Sequence, residues 1–90
     1  MNDTDAIVYA DLIELIQLLE RYGHTLSMPY AKPISGGLWE LRRTGRPQVR
    51  ILYGFHKGEA VLVHALKKQD ATLRQKDVEL AHKRFTAPEF

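Results

Sequence analysis

The run LWELRRTGRPQVRILYGFHKGEAVLVHALK, residues 38–67, decides the fold of this chain. It holds three short segments, at about 38–43, 49–55 and 60–66, enriched in Val, Ile, Tyr, Phe and Trp. Gly45-Arg46-Pro47 separates the first two, and Lys57-Gly58 the last two. β-Branched and aromatic residues suit a pleated, half-buried surface, and Gly and Pro mark its turns, so the run reads as a three-stranded antiparallel meander. Successive side chains on a strand point to opposite faces. A loop from Gly45 to Pro47 pairs Arg42 with Arg50 and Leu41 with Ile51, a register that keeps one face uniformly apolar. A two-residue turn at Lys57-Gly58 pairs Tyr53 with Leu62 and Ile51 with His64. One face then carries Trp39, Leu41, Ile51, Tyr53, Phe55, Leu62 and Leu66. The other carries Arg42, Arg50 and Lys67 among a few small or apolar residues.

The segments on either side supply helices. From Asp5 to Tyr22 apolar residues recur at spacings of three and four, with Asp11, Glu14, Gln17 and Arg21 on the opposite side. That is an amphipathic helix, capped by Asp3, Thr4 or Asp5 and ended by Gly23. Residues 24–37 hold Pro29, Pro33, Gly36 and Gly37 and read as a loop. A C-terminal helix is expected over 73–85, opened by a capping box of Thr72 and Gln75, with Leu73, Leu80, Ala81 and Phe85 as a thin apolar stripe. The fold class is therefore α+β, a twisted antiparallel sheet against an N-terminal helix, with a second helix at the end.

The 90 residues are 44% hydrophobic and 27% charged, an ordinary globular mixture that excludes an unfolded chain. No apolar run approaches the roughly 18 residues that cross a bilayer, and the acidic N-terminus is unlike a secretory signal. Cysteine is absent, which excludes disulfides, thiol nucleophiles and cysteine-held zinc. A cytoplasmic location is expected. The net charge of +2 is unevenly spread: residues 1–34 sum to −3 and residues 35–90 to +5. A cationic second half either attracts a polyanion or serves only to solvate the surface.

Arg42 opposite Arg50 is a like-charge pair, with Lys67 close by and Lys68 at the strand end. A phosphate held by the arginine forks would relieve the repulsion. Neutralisation of Arg42 by Glu40, with the other cations in water, would do so as well. His24, His56, His64 and His82 lack metal-ligand spacing. His64 fits a core histidine, although a free imidazole exchanges protons near neutral pH. Ser27 and Ser35 have no GxSxG context, and Gly36-Gly37 precedes a strand rather than a helix, which excludes a phosphate loop.

Three ordered blocks carry a resemblance: Met28 to Arg42 (MPYAKPISGGLWELR), Arg50-Ile51-Leu52-Tyr53, and Val61 to Lys68 (VLVHALKK). Together, over about residues 6–85, they resemble the phage-derived Gp49-like branch of the RelE/HigB toxins of type II toxin–antitoxin systems. The resemblance implies a RelE-like fold and a single domain over 1–90, from which the family's N-terminal strand and first helix are absent. A sheet lacking that strand keeps an open edge through which chains associate. It implies a ribosome-dependent mRNA endoribonuclease that needs neither metal nor cofactor and cuts by 2′-hydroxyl attack. Arg50, Arg42, Lys67 and Lys68 are then the catalytic cations, with His64 as a further acid or base. Arg43, Arg46, Lys83 and Arg84 contact RNA or the ribosome. The implied partners are mRNA, the ribosome and a helix-turn-helix, HigA-like antitoxin. Relatives often carry Tyr or His at the last strand–helix junction, where this chain has Gln69-Asp70-Ala71-Thr72. The alternative is accordingly a weakly active or inactive RelE-like module that binds an antitoxin or RNA.

Overall fold

A computed structural model of the chain describes residues 3–67 and 73–87. Its elements run α1 (Asp3–Tyr22), a short 3-10 turn (Gly23–Thr25), β1 (Ala31–Pro33), β2 (Trp39–Arg43), β3 (Val49–His56), β4 (Glu59–Lys67) and α2 (Gln75–Phe85). The class is α+β, as the pattern of periods requires. Helix α1 ends where Gly23 takes φ +53°, a left-handed conformation that glycine enters without a Cβ penalty. Lys57 and Gly58 both have positive φ, which matches the right-handed twist of the two strands they join.

The sheet is antiparallel in the order β1-β2-β3-β4, four strands rather than three. The additional strand is Ala31–Pro33, within the stretch expected to be loop, and it pairs Lys32 with Glu40 and Pro33 with Trp39. Proline cannot donate to a ladder, so a proline-containing strand survives only at an edge, which is where β1 lies. On the other side, no strand covers the outer edge of β4 among the described residues.

Between β2 and β3 the register is the expected one, with Arg42 opposite Arg50 and Leu41 opposite Ile51. Between β3 and β4 it holds only as far as Tyr53 opposite Leu62. A bulge at Leu52/Tyr53 then leaves Val63 as an extra residue, so Ile51 faces Ala65, Leu52 faces His64 and Arg50 faces Leu66. One added residue exchanges the faces of everything beyond it. His64 and Leu66 therefore join the Arg50 side, while Ala65 and Lys67 pass to the other. The expected placements of Leu66 and Lys67 are both corrected.

Two cores result, one on each face. Under α1 lie Leu15, Leu19, Leu26, Ala31, Leu41, Ile51 and Tyr53, flanked by Trp39 and Phe55. Across the sheet, Leu38, Leu52 and Val63 pack with Ala81 of α2, flanked by Ile34, Val61, Leu66, Leu73 and Phe85. The basic face is thus a second core roofed by α2, not an open surface. Leu80, expected in the stripe of α2, is exposed. Residues 88–90, 68–72 and the Thr72 capping box lie outside the described residues.

Tyr53 is fully buried between Trp39 and Phe55, and its hydroxyl has no hydrogen-bond partner among the described residues. Burial pushes its ionisation up to about 12. A group whose folded pKa exceeds its unfolded value of 10.0 contributes stability present below that value and lost as pH rises towards about 12. Urea unfolding should therefore show stability falling from about pH 10 upward in the wild type, with a flatter profile in Tyr53→Phe. At neutral pH, Tyr53→Phe should gain on the order of 1 kcal/mol by removing an unpaired buried hydroxyl.

Candidate functional site

On the face roofed by α2, β2 contributes Glu40 and Arg42, and β3 contributes Arg50. Glu40 Oε1 lies 3.3 Å from both Arg42 Nε and Arg50 Nε, and its side chain is only 5% exposed. One carboxylate thus neutralises two guanidinium groups, leaving the trio with a net charge of +1. Neither Nε makes an aligned hydrogen bond, so these are ion pairs without the fork-to-fork geometry that would strengthen them.

The two arginines are not equivalent. Arg50 is 2% exposed and donates from Nη1 to the carbonyls of Arg43 and Val49, at 2.8 and 3.1 Å, and from Nη2 to Gln48 Oε1. Desolvation holds its guanidinium below the ordinary arginine value; neighbouring Arg42 adds to this, and Glu40 opposes it. Arg42 is 19% exposed and donates only to the weak acceptor Met28 Sδ at 3.0 Å. A ligand therefore meets Arg42 first, while Arg50 holds the strand ends and the carboxylate in place.

Lys67 does not join the arginines, because the bulge turns it to the α1 face. His64 comes to the arginine face in its stead. It lies opposite Leu52, which also faces Glu40, so the row Glu40–Leu52–His64 runs beside the row Arg42–Arg50–Leu66. His64 is held from two sides: Nδ1 is 3.1 Å from Arg84 Nη1, and Nε2 is 2.9 Å from Asp77 Oδ1. Arginine has only donors, so Nδ1 accepts and the proton resides on Nε2, donated to Asp77. Arg84 Nη1 also donates to the Val63 carbonyl at 2.9 Å, the carbonyl of the bulge residue.

The remaining candidates separate by burial. Arg43 is tied to Asp11 of α1, at 3.0 Å from Nε and 2.9 Å from Nη2, and to the Pro47 carbonyl at 2.7 Å. At 9% exposure it pins α1 to the sheet and is withdrawn from RNA contact. Arg46 and Lys83 are exposed. Lys68 lies outside the described residues. Sequence reasoning missed Asp77, for which no periodic signal existed, and the 3.2 Å contact between Ser35 Oγ and His82 Nε2 that ties α2 to the loop before β2. No three His, Asp or Glu residues among the described residues could together hold a metal ion. No helix among them is long and apolar enough to cross a membrane.

A family model described as phage derived protein Gp49-like (DUF891) matches residues 1–86. No curated protein and no solved structure matches the chain significantly.

Proposed function

Because this chain belongs to the phage-derived Gp49-like family, the RelE-like toxin branch, we propose that it is the toxin of a toxin–antitoxin pair and cuts mRNA on the translating ribosome. A helix-turn-helix antitoxin of the HigA-like type is its neutralising partner. The observation that carries the reading is the pairing of a half-buried, weakly committed Arg42 with a histidine whose tautomer is set by Asp77 and Arg84.

Attack by a ribose 2′-hydroxyl forms a bond from the 2′ oxygen to phosphorus and breaks the bond to the 5′ oxygen of the next nucleotide. The products are a 2′,3′-cyclic phosphate and a 5′-hydroxyl. The 2′ proton needs an acceptor, the leaving oxygen needs a proton, and the phosphorane needs its added charge stabilised. Arg84 swinging to an RNA phosphate uncovers Nδ1 of His64, which takes the 2′ proton while Asp77 steadies the imidazolium through Nε2–H. Water protonates the leaving oxygen. Arg42 and the net positive trio behind it stabilise the phosphorane. Neighbouring strands are roughly 4.8 Å apart, which puts the Arg42 and His64 positions roughly 12 Å from each other, within the span of long side chains closing on one diester.

A second reading has its own support. Glu40 already neutralises the arginines and Arg50 is buried, as suits a module that binds an antitoxin or RNA without cutting. Induction in cells separates the two. The nuclease arrests growth and leaves transcripts cut within translated regions by primer extension. Arg42→Gln should lower cleavage by about 10²–10³-fold, and His64→Gln by about 10²–10⁴-fold, each a loss far larger than its small cost in folding stability accounts for. Intact transcripts on wild-type induction, with antitoxin still bound, would leave the module reading.

A further inference from the structure

A groove of about 230 Å³ opens at the β1 edge of the sheet, between α1 and the β2–β3 turn. Leu18 and Pro29 supply apolar lining, Glu14 and Thr44 polar groups, and Tyr30 and Arg42 the remaining walls. Asp11 and Arg43 also reach it, but they are committed to each other. The volume falls below the roughly 300–1,000 Å³ of a drug-sized pocket, so a single flat ring suits it better than a larger cofactor.

Three features specify that ring. Tyr30 is 45% exposed, an aromatic surface on which a base can stack. The Glu14 carboxylate is exposed and has no partner among the described residues, so it is an acceptor awaiting donors. Arg42 lines the groove from β2 while its side chain leaves the strand on the face opposite α1, so a phosphate joined to the ring meets the trio by crossing the β1 edge of the sheet. Of the four bases only guanine offers two adjacent donors, N1–H and N2–H, on its Watson–Crick edge. Adenine and cytosine turn a ring-nitrogen lone pair towards a carboxylate, and uracil has one N–H between two oxygens.

We propose that this groove is a guanine subsite, with Glu14 accepting from N1–H and N2–H, Tyr30 stacking on the ring and Arg42 holding the adjoining phosphate. The subsite rests on the ribonuclease reading for its biological use, but its chemistry is testable apart from cleavage. The full chain, isotope-labelled, is titrated with guanosine 3′- and 5′-monophosphates and with the adenosine counterparts. Guanosine nucleotides should shift the amide resonances of Tyr30, Thr44 and Gly45 at concentrations where adenosine nucleotides do not. Glu14→Gln, at an exposed helix position, should weaken guanosine binding by roughly 5- to 150-fold and leave the fold unchanged. Equal shifts by both nucleotides, or shifts located away from this groove, would overturn the proposal. In cells, cleavage with no guanine enrichment next to the cut also overturns it and leaves the nuclease standing. Guanosine-selective binding by a chain that never cuts supports the subsite and removes the nuclease.

Discussion

Replacing Glu40 by alanine should cost about 3–5 kcal/mol of folding stability, because it leaves Arg50 and Arg42 buried or half-buried without their shared carboxylate. Stability of about 0.05–0.15 kcal/mol per residue is usual for a small domain, so this loss is a large share of the whole. The triad's existence is no evidence that it is net stabilising, since desolvating three charges offsets most of their attraction. What is expensive is removing one member and leaving the others in place. Arg50→Ala should therefore cost nearly as much, by leaving Glu40 to Arg42 alone and the carbonyls of Arg43 and Val49 without their donor. Arg42→Gln should cost about 1 kcal/mol, since Arg42 is partly in water and bonds only to a thioether. Urea denaturation of the three variants gives this ranking directly. Glu40→Gln adds a second readout: by removing the counter-charge and keeping the shape, it should raise affinity for a short oligonucleotide while lowering stability. If Glu40→Ala unfolds within 1 kcal/mol of the wild type, water solvates these arginines and the trio has no structural role. For this reason Arg42 is the sounder probe of the proposed catalysis, since an inactive Arg50 variant can be merely unfolded.

Strand faces were readable from residue order wherever alternation was unambiguous. Leu41 lies between Glu40 and Arg42, and Ile51 follows Arg50, so one β2–β3 register keeps a face uniformly apolar, and Arg42 opposite Arg50 followed from it. Val61, Leu62 and Val63 are consecutive apolar residues, and period two cannot say which of them is surplus. The bulge at Val63 was consequently invisible, and with it the exchange of Lys67 for His64. Alternation also gives a direction but no depth. It set Arg50 on the polar face without disclosing that it would be buried there, held by Glu40, Gln48 and the carbonyls of Arg43 and Val49. Arg43 shows the converse. Its position beside Leu41's face was implied by the register, yet the carboxylate that meets it, Asp11, stood on the nominally polar side of α1. A three-residue strand ending in proline is below what local pattern can register, because tertiary pairing with β2 stabilises it. The candidate site was thus half legible: its arginines came from spacing, His64 and Arg84 were named without being placed beside each other, and Asp77 came only from the fold.

Gly54→Ala should destabilise the chain by about 1–3 kcal/mol through overpacking, and specifically by loosening α2 from the sheet. A Cβ at this position would sit 2.5 Å from Phe85 Cζ and 2.6 Å from Cε1, well inside van der Waals contact. The backbone at Gly54 is ordinary strand, so the conflict is one of space and not of conformation. Either the ring swings into water or α2 lifts. A swung ring forfeits the burial of a large apolar side chain, worth at most about 1.5–3 kcal/mol. A lifted helix would stretch the Asp77–His64 and Arg84–Val63 contacts as well, since both span the same helix and strand. Shortening the ring's reach with Phe85→Leu should restore part of the loss, so the double variant should be more stable than the sum of the two single effects allows. Hydrogen exchange then says which element gave way. Protection lost along α2 and at Val63 and His64 marks a lifted helix, whereas protection retained with a newly exposed ring marks a swung Phe85. In the first case the proposed cleavage should fall together with stability, because the histidine loses the aspartate and arginine that set its tautomer. A fully additive double variant with α2 protection unchanged would show that Phe85 does not hold the helix on this face.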